Sequence, residues 1–229
     1  MKKTLRVLIS VCFLLFSFLS AVNICCFHEG FYRNEYARLQ IAEDMQMPFE
    51  DLMEATKVLL DYTRGKREDM VVFAQVKNAK REVFNDREKA HMKDVRALYR
   101  NAMIVRNICL LIIIAGGLYL WITKDEPKNL AKAFLKTSLV VFAAFGALCL
   151  YAFSDFDTFW TNFHHVFFAS NDLWLLDPRT DLLINMVPEQ FFFDLIFFIV
   201  MTFAGFFLAA LVLSVFTKGG RQNAERGLV

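Results

Sequence analysis

Apolar and polar positions separate into long blocks along this chain instead of alternating. Between consecutive charged residues run four uninterrupted stretches, residues 7–27, 107–123, 137–154 and 195–217. Each falls in the range of roughly 17 to 25 residues that lets a helix cross a bilayer. The blocks predict spans at about 7–27, 104–123, 134–154 and 191–217 within a single integral membrane domain, 1–229. The fold class is an all-α membrane protein with four transmembrane helices. A long extracytoplasmic segment, 28–103, follows the first span, and a shorter one, 155–190, separates the third from the fourth.

Between the blocks the periodicity changes. Tyr32 and Tyr36 follow the first span at the depth where amphipathic aromatics settle. Pro48 opens a helix with Glu50 and Asp51 in its first turn, Leu52, Leu59 and Leu60 on an apolar face, and Gly65 as its stop. That face lies against the membrane or on a small core of the outer segment itself. Val71 to Val76, a turn at Lys77-Asn78-Ala79-Lys80 and then Glu82-Val83-Phe84 read as a short β-hairpin. Asn85 or Asp86 caps the next helix, 87–100, on which His91, Asp94, Val95 and Leu98 stand at i, i+3, i+4 and i+7. His91 and Asp94 therefore share a face, on a helix that leads directly into the second span. In the third span Ala143, Ala144, Gly146 and Ala147 are small enough to admit a neighbouring helix.

A second aromatic helix opens the later outer segment. Phe156, Phe159, Trp160, Phe163 and Phe167 recur at helical spacing, a face suited to the membrane interface, and His164 sits one residue off that stripe beside Trp160 and Phe168. Asn171-Asp172 ends the helix, Asp177-Pro178 makes a turn, and Pro188-Glu189 starts the helix that becomes the fourth span.

Composition agrees with the blocks: 56% of 229 residues are hydrophobic, 26 of them Phe, which is too apolar for an ordinary soluble domain. Charge distribution sets the orientation. Short flanks carry Lys2, Lys3 and Arg6; Lys124, Lys128 and Lys132; and Lys218, Arg221 and Arg226. The positive-inside rule assigns all three, and hence both termini, to the cytoplasm. The outer segment from Asp155 to Asp194 sets seven acids against Arg179 alone, which fits the same orientation. The first stretch has the basic start of a signal peptide. It lacks small residues at A-x-A spacing, and Asn23-Ile24-Cys25-Cys26 lacks the small residue that a lipoprotein processing site places before its cysteine, so it is expected to stay as a helix. All four histidines, His28, His91, His164 and His165, then face outward.

No H-E-x-x-H, G-x-S-x-G, G-x-x-x-x-G-K or C-x-x-C motif occurs, and nothing marks a nucleic-acid binder. The five cysteines lie in or at the ends of spans, where cysteine acts as a small hydrophobe. His28, directly after a span, reads as interfacial. His91 is a candidate general base because Asp94 can orient its ring, although a His-Asp pair on a surface helix is more often only a solvated contact. His164 is another, because Trp174, Arg179 and Asp181 return in the same polar segment at membrane depth. His91 and His164 show no four-residue ligand set, so neither a metal nor a cofactor is expected.

Two stretches carry a resemblance. Asn85-Asp86-Arg87-Glu88-Lys89-Ala90-His91-Met92-Lys93-Asp94-Val95 resembles an H-M-x-D-V helix. Phe163-His164-His165-Val166-Phe167-Phe168, with Trp174, Pro178, Asp181, Leu183-Ile184, Pro188 and Phe191-Phe192, resembles an F-H-x-x-F-F…W…P…D…L-I…P…F-F pattern. Both are similar to motifs of the bacterial lipoprotein intramolecular transacylase (Lit) family, and the likeness covers nearly the whole chain. It implies an acyltransferase of the bacterial cell membrane that acts on diacylglyceryl-modified lipoproteins among membrane lipids. The sn-2 acyl chain moves to the α-amine of the same cysteine and leaves a lyso-form lipid. That transfer needs a base for an α-ammonium of pKa about 8 and an acid for the departing glycerol oxygen, but no protein nucleophile. The resemblance implies His164 as principal acid-base residue and His91 as a second one or an oxyanion donor. Asp94 is expected to orient His91, and Trp174, Arg179 and Asp181 to shape the headgroup pocket; the neighbouring His165 has no assigned role. Two other readings compete: an acyltransferase using Cys25 or Cys26 covalently, and a non-enzymatic scaffold or sensor whose outer segment docks a partner.

Overall fold

The computed structural model describes residues 1–226, with side chains described through 214. The basic flank at Lys218, Arg221 and Arg226 therefore lies outside the described side chains. In order, the elements are α1 (Lys2–Cys25), α2 (Glu29–Arg38), α3 (Ile41–Asp44), α4 (Phe49–Thr63), β1 (Phe73–Val76), β2 (Ala79–Glu82), α5 (Asp86–Ile122), α6 (Pro127–Ser154), α7 (Phe156–Phe167), α8 (Leu183–Met186) and α9 (Glu189–Arg226). Four of them, α1, α5, α6 and the described part of α9, are long and apolar enough to cross a membrane. The sole sheet among the described residues is the two-stranded hairpin, so the fold is all-α as the blocks predict.

The chain divides into two compact units. The first gathers residues 1–23, 103–155 and 199 onward. In it Arg6 grips the turn after α5, with its Nε 2.8 Å and its Nη2 2.5 Å from the two carboxylate oxygens of Asp125, while Lys2 Nζ donates to the Thr123 carbonyl at 3.0 Å. Helices meet through phenylalanine edges: Phe13 on Phe134 at 5.7 Å, Phe18 on Phe145 at 5.8 Å and on Phe203 at 5.6 Å. The small residues of α6 are not the contact. A Cβ at Gly146 meets open space, and Ala143, Ala144 and Ala147 are exposed, because Phe142 and Phe145 of the same helix make the packing surface. Close approach occurs instead at Gly116, where a Cβ would stand 2.8 Å from Ile9.

The second unit gathers residues 24–102 and 156–198 and carries every histidine. Its core is built on Phe191, which touches the rings of Phe31, Tyr32 and Tyr36 at 5.4, 5.2 and 5.7 Å. Tyr32 and Tyr36 are therefore buried core residues and not interfacial ones, with the Tyr32 hydroxyl on the Cys26 carbonyl and the Tyr36 hydroxyl on Thr56, both at 2.8 Å. α4 turns Leu52, Ala55, Val58 and Leu59 into the same core, which decides between the two sequence options for its apolar face. It starts directly after Pro48 and ends in a Schellman cap: Gly65, at φ 77°, donates to the Tyr62 carbonyl and Lys66 to that of Asp61.

The hairpin forms with a tighter turn than the sequence suggests. Lys77 and Asn78 alone make it, both at positive φ as a type I′ turn requires, and Val76 pairs with Ala79. Val83 and Phe84, expected in the second strand, follow it as fully buried core residues. They deliver the chain to α5, whose start is a capping box: Asn85 Oδ1 accepts from the Glu88 N–H at 3.0 Å while Glu88 Oε2 accepts from the Asn85 N–H at 2.7 Å. The other Glu88 oxygen accepts from the Leu183 N–H at 2.5 Å, so a fully buried carboxylate joins α5 to the start of α8.

Replacing Glu88 by Ala leaves two buried N–H groups without acceptors, at about 1 to 3 kcal/mol each. Glu88→Ala is expected to lower Tm in detergent by roughly 5 to 10 °C, and Glu88→Gln, which keeps one acceptor oxygen, by less. A thermal scan of both variants showing no change from wild type would remove Glu88 as the joint.

Candidate active site

α5 presents a row of polar residues at intervals of three: Asn85, Glu88, His91 and Asp94. Such an i+3 row runs obliquely across a helix, so a chain segment that follows it must cross α5 at an angle. The segment after α7 does so. Asn85 Nδ2 donates to Asp181 Oδ1 at 2.7 Å, Glu88 holds Leu183, His91 meets His164 and Phe168, and Asp94 Oδ2 accepts from Asn171 Nδ2 at 2.9 Å.

The two imidazoles stand with ring centres 6.1 Å apart and planes 35° apart. Both are buried, His91 at 8% and His164 at 6% exposure, which is low enough to decide their charge state. His164 lies between two indoles: Trp160 presents an edge at 4.8 Å and Trp174 stacks at 4.7 Å with a 25° tilt. Phe163 and Phe168 complete its surroundings at 5.5 and 5.6 Å. Its Nδ1 is 2.8 Å from the Trp160 carbonyl, a group that only accepts, so Nδ1 carries the proton and Nε2 is left with the lone pair. His91 differs: its Nδ1 is buried and has no hydrogen-bond partner.

Burial, which disfavours the charged ring, moves both acidities the same way. Desolvation, with His164 as a second cause, lowers His91 from 6.5 to about 4. Desolvation also lowers His164 below 6.5, against the Trp160 carbonyl, which raises it. At neutral pH both rings are neutral, one with a basic nitrogen of defined identity, the other with an unused polar atom. Such a pair can take a proton from one atom and deliver one to another.

The other sequence candidates divide. Trp174 is at the site. Asp94 is beside it, but its carboxylate bonds Asn171 and not the unpartnered Nδ1 of His91, which corrects the expected orienting contact. Asp181 is buried and fully engaged, accepting from Asn85, Thr180 and the Asp177 N–H, so it braces the segment. Arg179 turns away to a forked pair with Asp177, 2.7 Å at the shortest, and its side chain is 87% exposed. His28 caps α2 by accepting from the Phe31 N–H. His165 is exposed, with its ring against the edge of Trp174 at 5.2 Å. Sequence reasoning missed Glu88 and Asn171. The signal for Glu88 was the N-x-x-E capping box three residues before His91; for Asn171, whose partner is 77 residues away, there was none.

Three solved structures superpose on nearly the whole chain. All are of the membrane integral lipoprotein intramolecular transacylase Lit from Bacillus cereus. The first has a TM-score of 0.81 at 21% identity, covering 97% of this chain and 98% of that one. Two variants of the same protein, with a histidine replaced by arginine or by alanine, have TM-scores of 0.77 and 0.76 at 20% identity; they cover 98% and 97% of this chain and 95% and 96% of theirs. At that identity the likeness shows the fold, which with the four apolar helices makes this a multi-pass membrane protein. A search of the curated proteins returns no match. The model of lipoprotein intramolecular transacylase Lit matches residues 7–192 and spans both histidine motifs, so the chain belongs to the Lit family of acyltransferases.

Proposed function

We propose that this chain moves the sn-2 acyl group of a diacylglyceryl-cysteine lipoprotein to the α-amine of the same cysteine, with His164 as acid-base residue and His91 as its partner. The observation that carries the reading is the neutral, buried imidazole pair with His164 Nδ1 tied to the Trp160 carbonyl. The free α-amine attacks the ester carbonyl, and His164 Nε2 takes the proton that the nitrogen loses as the C–N bond forms. His91 donates to the oxyanion of the tetrahedral intermediate. Collapse breaks the bond between the carbonyl carbon and the glycerol oxygen, and Nε2–H returns the proton to that oxygen. The products are an amide and a free hydroxyl, with no water consumed and no acyl-enzyme formed. Because amine and ester belong to one molecule, holding them together supplies much of the rate.

Orientation is part of the same proposal. Both termini lie in the cytoplasm, on the strength of the basic flanks, and the histidine pair works at the outer leaflet where the lipid-modified cysteine resides. A covalent route through cysteine is disfavoured by Cys25, which is fully buried. Asp94 and Trp174 serve by holding the surroundings of the two rings.

His164→Ala is expected to cut formation of the lyso-form by about 10²- to 10⁴-fold, read by mass spectrometry of lipoprotein N-terminal peptides in a host lacking its own enzyme. His91→Ala lowers it by a smaller factor, on the order of 10²-fold. Wild-type product from the His164 variant removes that residue from the mechanism.

The acidity of the site gives a second test. Transfer needs both a free amine, of pKa about 8, and a neutral His164, whose value lies below 6.5. Since a lowered value keeps the ring uncharged to lower pH, log kcat/KM should fall with a slope of one below about pH 8 and reach a slope of two only below 6.5. A second unit of slope that sets in at about pH 6.5 itself, and not below it, shows an ordinary solvated histidine.

The double variant Cys25→Ala with Cys26→Ala should retain activity to within about fivefold and trap no acyl label, since the route needs no protein nucleophile. Loss of product together with disappearance of a labelled wild-type acyl-enzyme establishes the covalent route instead.

A further inference from the structure

Between α7 and the Asp177 turn runs a short segment of which the proposed chemistry uses Trp174 alone. It is tied to α5 at two places. Asn171 Nδ2 donates to Asp94 Oδ2 at 2.9 Å, and Arg87 Nη2 donates to the Asp172 carbonyl at 2.5 Å. Arg87 and Asp94 stand four residues before and three residues after His91. The strap therefore crosses α5 with one anchor on each side of that histidine. Asn171 also organises the strap itself, because its Oδ1 accepts from the Leu173 N–H at 3.0 Å. One residue further on, Trp174 lies on the face of His164. A single amide thus connects the helix bearing one imidazole to the indole that covers the other.

We infer that Asn171 is a positioning residue for His164, acting through Trp174: by anchoring the strap to Asp94 it fixes the indole on the imidazole and keeps water from that face. The inference rests on the proposed role of His164. Asn171 itself touches neither ring, and its carboxamide has no acid-base function, so its effect is on how the imidazole is held. A contact that serves stability alone would leave the environment of His164 unchanged once the protein had folded. A positioning contact would not, because release of the strap exposes one face of the ring.

The charged and titratable groups around His164 are few. α7 contributes His165 and α5 contributes His91, which in turn feels Arg87 and Asp94, while the strap's Asp172 pairs with Arg87. Exchanging Asp94→Asn together with Asn171→Asp keeps the total charge of this set. It also restores the bond in the opposite sense, with the amide now donating from α5 and the carboxylate still available to the Leu173 N–H.

The test uses the full chain in nanodiscs labelled at histidine Cε1, with the His164 resonance assigned by its loss in His164→Ala. In Asn171→Ala, kcat is expected to fall by about 10- to 100-fold with KM within roughly twofold, and the His164 midpoint to rise toward 6.5. The exchange of both residues should recover kcat to within about threefold and return the midpoint. If the alanine variant is not recovered folded, Asn171→Ser serves, since it keeps an acceptor for Leu173 but is too short to reach Asp94. Unchanged kcat in the single variant overturns the inference. So does a lowered kcat with an unmoved midpoint, or an exchange that restores neither. Wild-type protein that makes no lyso-form would refute the proposed function and not this one, because the titration reads the strap without turnover.

Discussion

The buried carboxylate of Glu88 is the constraint on which the site geometry depends. An ionised group without exposure is costly unless its lone pairs are engaged. Here one oxygen closes the cap of α5 and the other receives the Leu183 N–H, so the same side chain that starts the helix also fixes where the returning segment crosses it. Burial still raises its pKa, against the backbone donors that lower it. Asn85 adds a second link from the same cap, to Asp181, and Asp181 in turn gathers Asp177 and Thr180. From this joint the polar row runs along α5 to His91 and Asp94. Local helix chemistry and a contact 95 residues long are therefore one feature, and the position of the histidine pair follows from it.

Burial then determines what the pair can do. An imidazolium surrounded by Trp160, Trp174, Phe163 and Phe168 has lost its water and gained no carboxylate, so the neutral form prevails. A catalytic triad has an acid behind its histidine; here a backbone carbonyl takes that place. It fixes the tautomer without adding charge, so Nε2 keeps only a modest affinity for a proton. That suits a transfer in which the same residue is base in one half and acid in the other. The lone Nδ1 of His91 has the opposite character, since an orphaned buried polar atom is a cost to the folded state that a substrate hydrogen bond can offset.

Much of this was legible in the sequence, and the reason differs by element. The four long helices show as apolar blocks bounded by charge, a signal that needs no knowledge of partners. The hairpin and α4 carried turn and cap residues, although strand limits shifted because Lys77 and Asn78 alone made the turn. His164 stood out as a polar residue among aromatic ones, with Trp174 in the same segment, and His91 by its spacing to Asp94 on one helix face. What failed were assignments of partners. Tyr32 and Tyr36 read as interfacial because Phe191, which buries them, lies more than 150 residues away in the chain. Asp94 was matched with its near neighbour His91, whereas its true partner arrives from another element. Arg179, expected to help shape a headgroup pocket, pairs with Asp177 two residues before it. A sequence shows which side chains are available on a face, but competition among partners is settled only when the distant segments are packed.

The small core of the second unit follows from the same demand. Two imidazoles set 6.1 Å apart act together only if their backbones are held to a fraction of that distance. Residues 24–102 and 156–198 supply this rigidity with a core of their own, in which Phe191 at the start of α9 is enclosed by α2, and Leu52 and Thr56 come from α4. The two segments share that core, since Phe191 of one packs on Phe31, Tyr32 and Tyr36 of the other. The histidine on α5 and the histidine on α7 belong to different segments, so the pair exists only when both have packed. Fold and ring pair are thereby linked: a chain that has not joined these two segments does not bring the histidines together, and one that has joined them holds the two rings in a single geometry.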